Sequence, residues 1–330
     1  MYRLLAIPLF LASSVAAFAA ADNGLLALVP ADAKIVSGVN VQQALASPFG
    51  QYLLAKANAN PNAFDHMIQQ TGFDPRRDLQ SFVYASPGPD SAEPGFVLLA
   101  RGNFQPSVIK DQMLERGATI ITVDGIDIYT QHTAGQNPKR AGRPLGAFAL
   151  LDTGLGVFGD LDSVRSVIAN RSTASVLDPE LQALITKVSA SNDAWFASTL
   201  GGSYLTQHLN HSENQQMKPQ VQAFQAVRQA AGGVQFSDPL QLNFDAVTRS
   251  PQDAVSLADV MRFMSSLMQM QRPKDPHLDL LGTALDGMVL SSSGDTVHAS
   301  VSIPEKTLEQ LADARASSHN RGGFKPAPHQ

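Results

Sequence analysis

The sequence contains no cysteine, a single tryptophan and little charge, since only 16% of its 330 residues are Asp, Glu, Lys or Arg. The absence of cysteine excludes disulfide bonds, thiolate metal ligands, a thiol nucleophile and a lipid anchor attached through cysteine. The net charge of −5 argues against a nucleic-acid partner, because such a surface needs clustered cations to neutralise phosphates. A hydrophobic content of 44% is a globular value, and the length suffices for about two domains.

The first 21 residues have the pattern of a signal peptide. Arg3 precedes an apolar, uncharged stretch, and small residues stand at two possible cleavage positions, so we expect cleavage after Ala19 or Ala21. The apolar stretch is short for a spanning helix, and no later stretch reaches a spanning length. We therefore expect a periplasmic or secreted protein with no transmembrane segment after cleavage.

The rest of the chain predicts an α+β fold of two ferredoxin-like halves. The patterns of strands and helices follow the order β-α-β-β-α-β twice, with mainly antiparallel sheets. The first half carries an additional hairpin, turned at Asp124-Gly125. The expected parts are a signal peptide at 1–21, a first half at 22–171, a connecting helix or linker at 172–190, a second half at 191–316 and a disordered tail at 317–330.

Local patterns also predict individual elements. Ser47-Pro48 and Ser250-Pro251 each have a capping residue before a proline at the first helical position, which indicates a helix start. In the second half we expect a helix over about 219–231, followed by paired strands over 233–237 and 240–248.

Residues 145–170 contain two motifs that point to different chemistries. The first, Leu150-Leu151-Asp152-Thr153-Gly154, resembles the active-site signature of retroviral-type aspartic proteases. That chemistry needs a second carboxylate, which a dimer would supply. The resemblance also implies an apolar pair with glycine some tens of residues later, which braces the active-site loop in such proteases. The expected downstream pair is missing, because Val157-Phe158-Gly159 follows too closely. We therefore interpret Asp152 as part of a hairpin turn between two apolar strands.

The second motif, Gly154-x-Gly156-x-x-Gly159, matches the dinucleotide-binding fingerprint, and Asp178 lies near the expected acidic position. The fingerprint requires a helix that begins inside the motif. Here the glycines alternate with apolar residues as in a buried strand, and the helix begins only after Gly159. Asp178 precedes a proline and is interpreted as a helix cap. The corresponding stretch of the second half, 287–310, has neither motif, which favours a structural role.

Histidines and acidic residues provide two weak metal-site candidates. His208-x-x-His211-x-Glu213 could place two imidazoles on one helix face, although His211 falls where the helix should end. Asp275-Pro276-His277-x-Asp279 is interpreted as a loop and helix cap. We assign no metal ligand from either group.

A methionine-rich stripe on the predicted helix 251–272 is interpreted as core, with a soft binding groove as the alternative. Its members recur at helical spacing: Leu257, Val260, Met261, Met264, Leu267 and Met268. The basic pairs Arg76-Arg77 and Lys139-Arg140, the latter with Arg143, are interpreted as solvated loops, with contacts to anionic envelope polymers as the alternative.

Three segments resemble recurrent motifs of uncharacterised exported bacterial proteins that contain a duplicated α+β domain. They are Val29-Pro30-Ala31-Asp32-Ala33, Gly72-Phe73-Asp74-Pro75-Arg76-Arg77-Asp78 and Gly159-Asp160 with Val164-Arg165. The resemblance lies mainly in the first half and implies no activity, substrate or site residue.

The sequence thus predicts an exported, non-enzymatic protein that binds a protein or an envelope polymer. Two alternatives remain open: an aspartic-type peptidase that uses Asp152, and an inhibitor or chaperone-like module that binds peptide by strand addition. We assign no catalytic, cofactor-binding or metal-binding residue and expect no cofactor.

Overall fold

The computed structural model describes residues 22–59, 64, 65, 68, 69, 72–88, 91, 95–132, 144–173, 175–202, 218–272 and 276–321. The strands in these ranges are β1 (Ile35–Asn40), β2 (Leu79–Ser86), β3 (Val97–Gly102), β4 (Thr119–Val123), β5 (Ile126–His132), β6 (Pro144–Leu150), β7 (Leu155–Gly159), β8 (Ala194–Ser198), β9 (Val227–Gln235), β10 (Leu240–Thr248), β11 (Val289–Ser293) and β12 (Thr296–Ile303). The helices are α1 (Asn23–Leu26), α2 (Val41–Ala46), α3 (Pro48–Ala59), α4 (Pro75–Asp78), α5 (Pro106–Glu115), α6 (Leu161–Asn170), α7 (Pro179–Ser189), α8 (Lys218–Gln225), α9 (Pro251–Gln271), α10 (Pro276–Leu285) and α11 (Glu305–Arg321).

Helix starts follow the capping signals in the sequence. The Ser47 hydroxyl accepts a hydrogen bond from the Gly50 N–H at 3.0 Å. The Ser250 hydroxyl accepts one from the Asp253 N–H at 3.2 Å, just before Pro251. Each cap satisfies a backbone donor that the first helical turn leaves without a partner. The predicted starts at Ser47-Pro48 and Ser250-Pro251 are therefore confirmed.

The twelve strands form one sheet in the order β11-β12-β10-β9-β8-β1-β2-β3-β7-β6-β5-β4, and every neighbouring pair is antiparallel. An α+β fold with antiparallel pairing was the expectation. The ferredoxin-like arrangement of two halves is not confirmed. Such halves need parallel strands joined by crossover helices. Here Asn40, at the end of β1, pairs with Ser81, near the start of β2. The segment that contains α2 to α4 therefore connects two antiparallel neighbours at the same end of the sheet.

One side of the sheet, here called the front face, carries the side chains of Val36, Leu99, Val157 and Trp195. Helices α6 and α7 cover it, and their buried residues Val164, Ile168, Leu181 and Ile185 pack against the strands. Full burial of an Ile or Leu side chain stabilises the fold by about 1.5–3 kcal/mol. The core of the first half therefore lies on the front face.

The opposite side, here called the back face, carries the core of the second half. Ala246 and Val297 of neighbouring strands pack against Leu257 and Ala258 of α9. A further cluster joins Val301 of β12 to Ala284 of α10 and to residues of α11. The covered face of this continuous sheet thus changes between its two ends.

The two ends of the sheet share a strand order on either side of the β1–β8 pair. From the centre outward the strands follow β1-β2-β3-β7-β6 in one direction and β8-β9-β10-β12-β11 in the other, with β5 and β4 as the additional hairpin. The helices that follow the corresponding strands β7 and β12 differ, since α6 lies on the front face and α11 on the back face. The pairing order repeats, whereas the placement of the helices does not.

Three expected boundaries differ from the structure. The helix predicted over 219–231 ends at Gln225, because residues from Val227 onward pair with β8 and β10. Helix α7, expected within a connecting segment, packs its apolar face into the front-face core. Helix α11 continues to Arg321, so the first residues of the expected disordered tail are helical.

Within the described ranges, no helix combines the length and the apolar character that crossing a bilayer requires.

Candidate functional site

Asp152 lies in the tight turn between β6 and β7. Its carboxylate accepts a hydrogen bond from the Gly154 N–H at 2.6 Å, which closes a local turn of the kind that Asp side chains favour. The turn is attached to the end of β3, because the Gly102 N–H donates to the Gly154 carbonyl oxygen at 3.0 Å. The side chain is exposed. These contacts confirm the interpretation of Asp152 as a turn residue.

The charged group near this turn is Arg101. The pKa of its guanidinium is raised chiefly by its hydrogen bond to Asp22 and, to a smaller degree, by the negative charge of Asp152. An aspartic-protease site needs a second carboxylate that shares a proton. The charged neighbour of Asp152 is instead a cation, Arg101.

The glycine fingerprint lies on a strand and not at a helix start. Residues Leu155–Gly159 form β7, which pairs with β3 and β6, and α6 begins at Leu161 with Asp160 as its cap. A Cβ on Gly159 would lie 2.3 Å from the Phe96 carbonyl oxygen, so close packing of two strands requires this glycine. Asp178 caps α7 by accepting the N–H groups of Glu180 and Leu181, as predicted.

Most residues of the two metal-site candidates fall outside the described part of the chain. His208, His211, Glu213 and Asp275 lie outside the described residues, and Asp279 is exposed in the first turn of α10. Over the described ranges, no three His, Asp or Glu residues are grouped closely enough to hold a metal ion.

A charged cluster that sequence reasoning missed lies on the front face of the second half. Asp245 accepts hydrogen bonds from Lys187 and from the His298 ring nitrogen Nδ1, both at 2.7 Å. Burial raises the pKa of Asp245, but these two hydrogen bonds outweigh it, so the pKa lies below its ordinary value. Ser291 is the register partner of His298, yet no hydrogen bond joins them in the described contacts. A serine nucleophile needs such a bond to its base.

A cavity of about 380 Å³ lies on the front face, near the ends of β1 and β2. Its polar side chains already serve the fold. Asp22 caps α1 and pairs with Arg101, while Asn40 caps α2. Asp193 accepts the Phe236 N–H at 2.7 Å. Because these groups are occupied, we do not regard this cavity as the site.

A second pocket, of about 440 Å³, lies on the back face and is the stronger candidate. We call it the back-face pocket. Its floor consists of two neighbouring rows of residues, each crossing β8, β9, β10 and β12 in register. The rows are Phe196, Gly232, Phe244 and Ala299, and Ala194, Val234, Leu242 and Val301. Met288 also lines the pocket.

Every residue in these two rows is apolar, and most of the side chains are only half-buried. The pocket lies between two core clusters, since Phe244 packs against the cluster under α9 and Leu242 and Met288 pack against the cluster under α10 and α11. Ligand pockets of about 300–1,000 Å³ with mainly apolar walls are the usual binding sites of small molecules.

Gly232 gives the pocket floor its shape. The rings of Phe196 and Phe244, two strands apart, stack with centroids 6.1 Å apart across this glycine. A Cβ on Gly232 would lie 2.6 Å from the Asn243 carbonyl oxygen and 2.9 Å from Cε1 of Phe196. Sequence reasoning missed this part of the site because it predicted a helix through residue 231. The glycine pair at 232 and 233 was the signal in the sequence against that helix.

The methionine-rich stripe of α9 divides into two parts. Leu257 is buried, and Val260 and Met261 pack against the back-face core, which confirms the core interpretation for the first part. Met264 and Leu267 are 45% and 43% exposed, so the second part is a surface.

The basic pair Arg76-Arg77 forms ion pairs with Asp74 and Asp78 next to it in the chain. Lys139, Arg140 and Arg143 lie outside the described residues.

No known protein family profile matches the chain, and no curated protein matches it in sequence. Two solved structures are similar in fold, both crystal forms of TP0453 from Treponema. Crystal form III aligns with a TM-score of 0.52 at 9% identity and covers 88% of this chain and 97% of that chain. Crystal form I aligns at the same identity and coverage with a TM-score of 0.49. The likeness to form III concerns the fold alone.

Proposed function

We propose that this chain is an exported, non-catalytic binding protein that holds an apolar ligand in the back-face pocket. The observation that carries the proposal is the two-row floor of the pocket. Apolar side chains on an exposed sheet face cost free energy unless something covers them, at about 25 cal/mol per Å². Covering this floor with an apolar ligand would recover that free energy.

The chemistry of the pocket favours one class of ligand. The polar residues that border the pocket, Asn243 and Ser300, occupy front-face register positions, so their side chains point away from the floor. The strand backbones between them are engaged in the ladder pairing of β8, β9, β10 and β12. An ionised ligand group would find no compensating charge there. We therefore propose a ligand whose bound part is an aliphatic chain or an apolar ring, with any charged end outside the pocket.

A non-catalytic role agrees with the contacts of the chemically active side chains. Asp152 closes a turn and Asp178 caps a helix. His298 is hydrogen-bonded to Asp245, and no nucleophile is bonded to it among the described contacts. These occupied roles support binding over catalysis.

The proposal of export rests on the first 21 residues. Asp22, which follows both possible cleavage positions, caps α1 and binds Arg101, so the first residue expected after cleavage already has contacts within the fold. N-terminal sequencing of the protein recovered from a periplasmic fraction tests this part. An N-terminus at Ala20 or Asp22 supports export, whereas an intact Met1 in the cytoplasm contradicts it.

Binding is tested by titrating the purified protein with dansylaminoundecanoic acid, an apolar chain with a fluorescent end. Ala299→Phe introduces a ring into the pocket floor and should reduce the affinity at least tenfold. The matched control is Ser291→Phe, which places the same ring on the exposed front face of the adjacent strand. Equal affinity of both variants and the parent protein, or no binding at all, contradicts the proposal.

We also propose that the repeated strand order reflects an internal duplication. Support comes from the order β1-β2-β3-β7-β6 against β8-β9-β10-β12-β11 and from the similar Asp-Ala pairs, Asp32-Ala33 and Asp193-Ala194, at the entries to β1 and β8. Because α6 and α11 lie on different faces of the sheet, this origin requires that one of the two helices changed its position after the duplication. A superposition of the two sets of strands that is no closer than that of unrelated antiparallel sheets would contradict this origin.

A further inference from the structure

The two ends of the described sheet are β11 and β4, and they differ in protection. Strand β4 reads Thr119-Ile120-Ile121-Thr122-Val123, so all five residues are β-branched and none is charged or proline. Natural proteins usually protect an edge strand with charge, proline, a bulge or a covering segment, because its outer backbone groups can pair with another chain. Strand β4 has none of the sequence devices.

The outward-facing backbone groups of β4 follow from the hairpin that it forms with β5. The two-residue turn at Asp124-Gly125 makes Val123 and Ile126 a hydrogen-bonded pair, and bonded pairs then alternate along the strand. Thr119, Ile121 and Val123 therefore bond to β5. The N–H and C=O groups of Ile120 and Thr122 point away from the sheet, and the described part of the chain supplies no partner for them.

Strand β11, at the other end, is protected. The guanidinium of Arg262 reaches from α9 and donates a hydrogen bond to the Leu290 carbonyl oxygen at 3.4 Å. Helix α9 also packs beside this strand. Of the two edges, β4 is thus the one that the described residues leave open to a partner.

The residues of β4 are complementary to a second copy of themselves. We propose that β4 pairs antiparallel with β4 of a second molecule, about a twofold axis at Ile121. This register places Ile120 of each copy opposite Thr122 of the other. The outward N–H and C=O groups of these residues can then form four hydrogen bonds between the two strands. It also covers the half-buried side chains of Ile120, Ile121 and Val123.

Charge agrees with this register. The twofold axis places Ala118 of one copy opposite Asp124 of the other. The Asp124 carboxylate lies 3.8 Å from Nη1 of Arg171 in its own chain, yet its side chain is still 59% exposed. Arg116, which is exposed at the end of α5, comes to the same end of the edge. The guanidinium of Arg116 has no carboxylate partner among the described ion pairs of its own chain. The pairing therefore brings opposite charges together at both ends of the joined strands.

The sequence offers a specific chemical test because it contains no cysteine. Directly opposed, non-hydrogen-bonded residues of antiparallel strands have Cα atoms about 4.5 Å apart, within disulfide range. The variant Ile121→Cys should therefore form a disulfide-linked dimer when the thiols are oxidised with oxidised glutathione. Ser291→Cys is the matched control, because Ser291 occupies the equivalent position on β11 and is exposed.

The non-covalent dimer is tested by sedimentation equilibrium of the purified chain. We expect twice the monomer mass at high concentration, and the monomer mass for Thr122→Pro, which removes one outward N–H. Ser292→Pro at the protected edge should still form the dimer, and circular dichroism verifies that both variants fold. A monomer at every concentration, a dimer that Thr122→Pro leaves intact, or cross-linking through Ser291→Cys in place of Ile121→Cys overturns the proposal.

Discussion

Phe196 and Phe244 stack with their ring centroids 6.1 Å apart, although they belong to strands that do not pair with each other. The contact exists because Gly232, on the strand between them, has no side chain. The two rings and the glycine form the floor of an apolar pocket on the back face of the sheet. The position of the pocket therefore depends on one residue that is small enough to let its neighbours meet.

Gly232→Ala should destabilise the protein by about 1–3 kcal/mol, the usual cost of overpacking a filled site. The new Cβ would lie 2.6 Å from the backbone oxygen of Asn243, which cannot rotate away. Urea unfolding measures the change in the free energy of unfolding. Gly287→Ala is the control, because the nearest atom to its Cβ is 3.9 Å away; this change should stay within about 0.5 kcal/mol. Equal effects of both substitutions would mean that Gly232 does not determine the packing.

Asp22→Ala should lower the free energy of unfolding by about 1–2 kcal/mol, since it removes the cap of α1. The same carboxylate accepts hydrogen bonds from the Gly24 and Leu25 N–H groups and from Arg101 of β3. Asp162→Ala, at a side chain that is 85% exposed, provides the comparison and should cost less than about 0.5 kcal/mol. Thermal or urea unfolding of the two variants shows whether Asp22 attaches α1 to the sheet.

The cluster of Asp245 with Lys187 and His298 predicts a specific loss of stability in acid. The folded-state pKa of Asp245 lies below its unfolded value, so its contribution is present above the unfolded pKa of about 3.9. That contribution is lost as the pH falls through the folded-state pKa. Asp245→Asn should therefore reduce the dependence of the unfolding free energy on pH between about pH 5 and pH 2. Lys187 is 68% exposed, so the effect should be about 0.2–1 kcal/mol. An unchanged pH profile contradicts this assignment.

Asp152 should be dispensable for any activity of the purified protein. Asn can accept the Gly154 N–H through its side-chain oxygen, so Asp152→Asn should keep the turn and leave the unfolding temperature nearly unchanged. We expect no cleavage of an unfolded protein substrate such as casein at acid pH by either form. Cleavage by the parent protein that disappears in Asp152→Asn would restore the peptidase interpretation.

Helix caps and turns could be predicted from the sequence, because neighbouring residues determine them. Ser47, Asp178 and Ser250 cap helices as predicted, and Asp124-Gly125 turns a hairpin, because each uses a side chain or a positive φ angle within a few residues. The turn role of Asp152 could be inferred for the same reason. Such features need no knowledge of the rest of the fold.

Long-range structure was not readable in the same way. The stretch from Val227 to Ala231 is rich in helix-forming residues, yet it is a strand, because pairing with β8 and β10 outweighs local propensity. The residues of the back-face pocket extend along the chain from Ala194 to Val301 and meet only through the register of four strands. The change of covered face between the two ends of the sheet likewise depends on tertiary packing and has no local signal.

The central claim is that an apolar ligand occupies the back-face pocket, and the single tryptophan of the chain provides the most direct measurement. Trp195 is adjacent in sequence to Phe196 of the pocket floor. Its side chain lies on the front face, so the sheet alone separates the indole from a ligand in the back-face pocket. Energy transfer from Trp195 to bound dansylaminoundecanoic acid should increase with binding and saturate. It should be lost in Ala299→Phe and retained in Ser291→Phe. Binding of the probe without energy transfer from Trp195, or unchanged transfer in Ala299→Phe, would contradict the account.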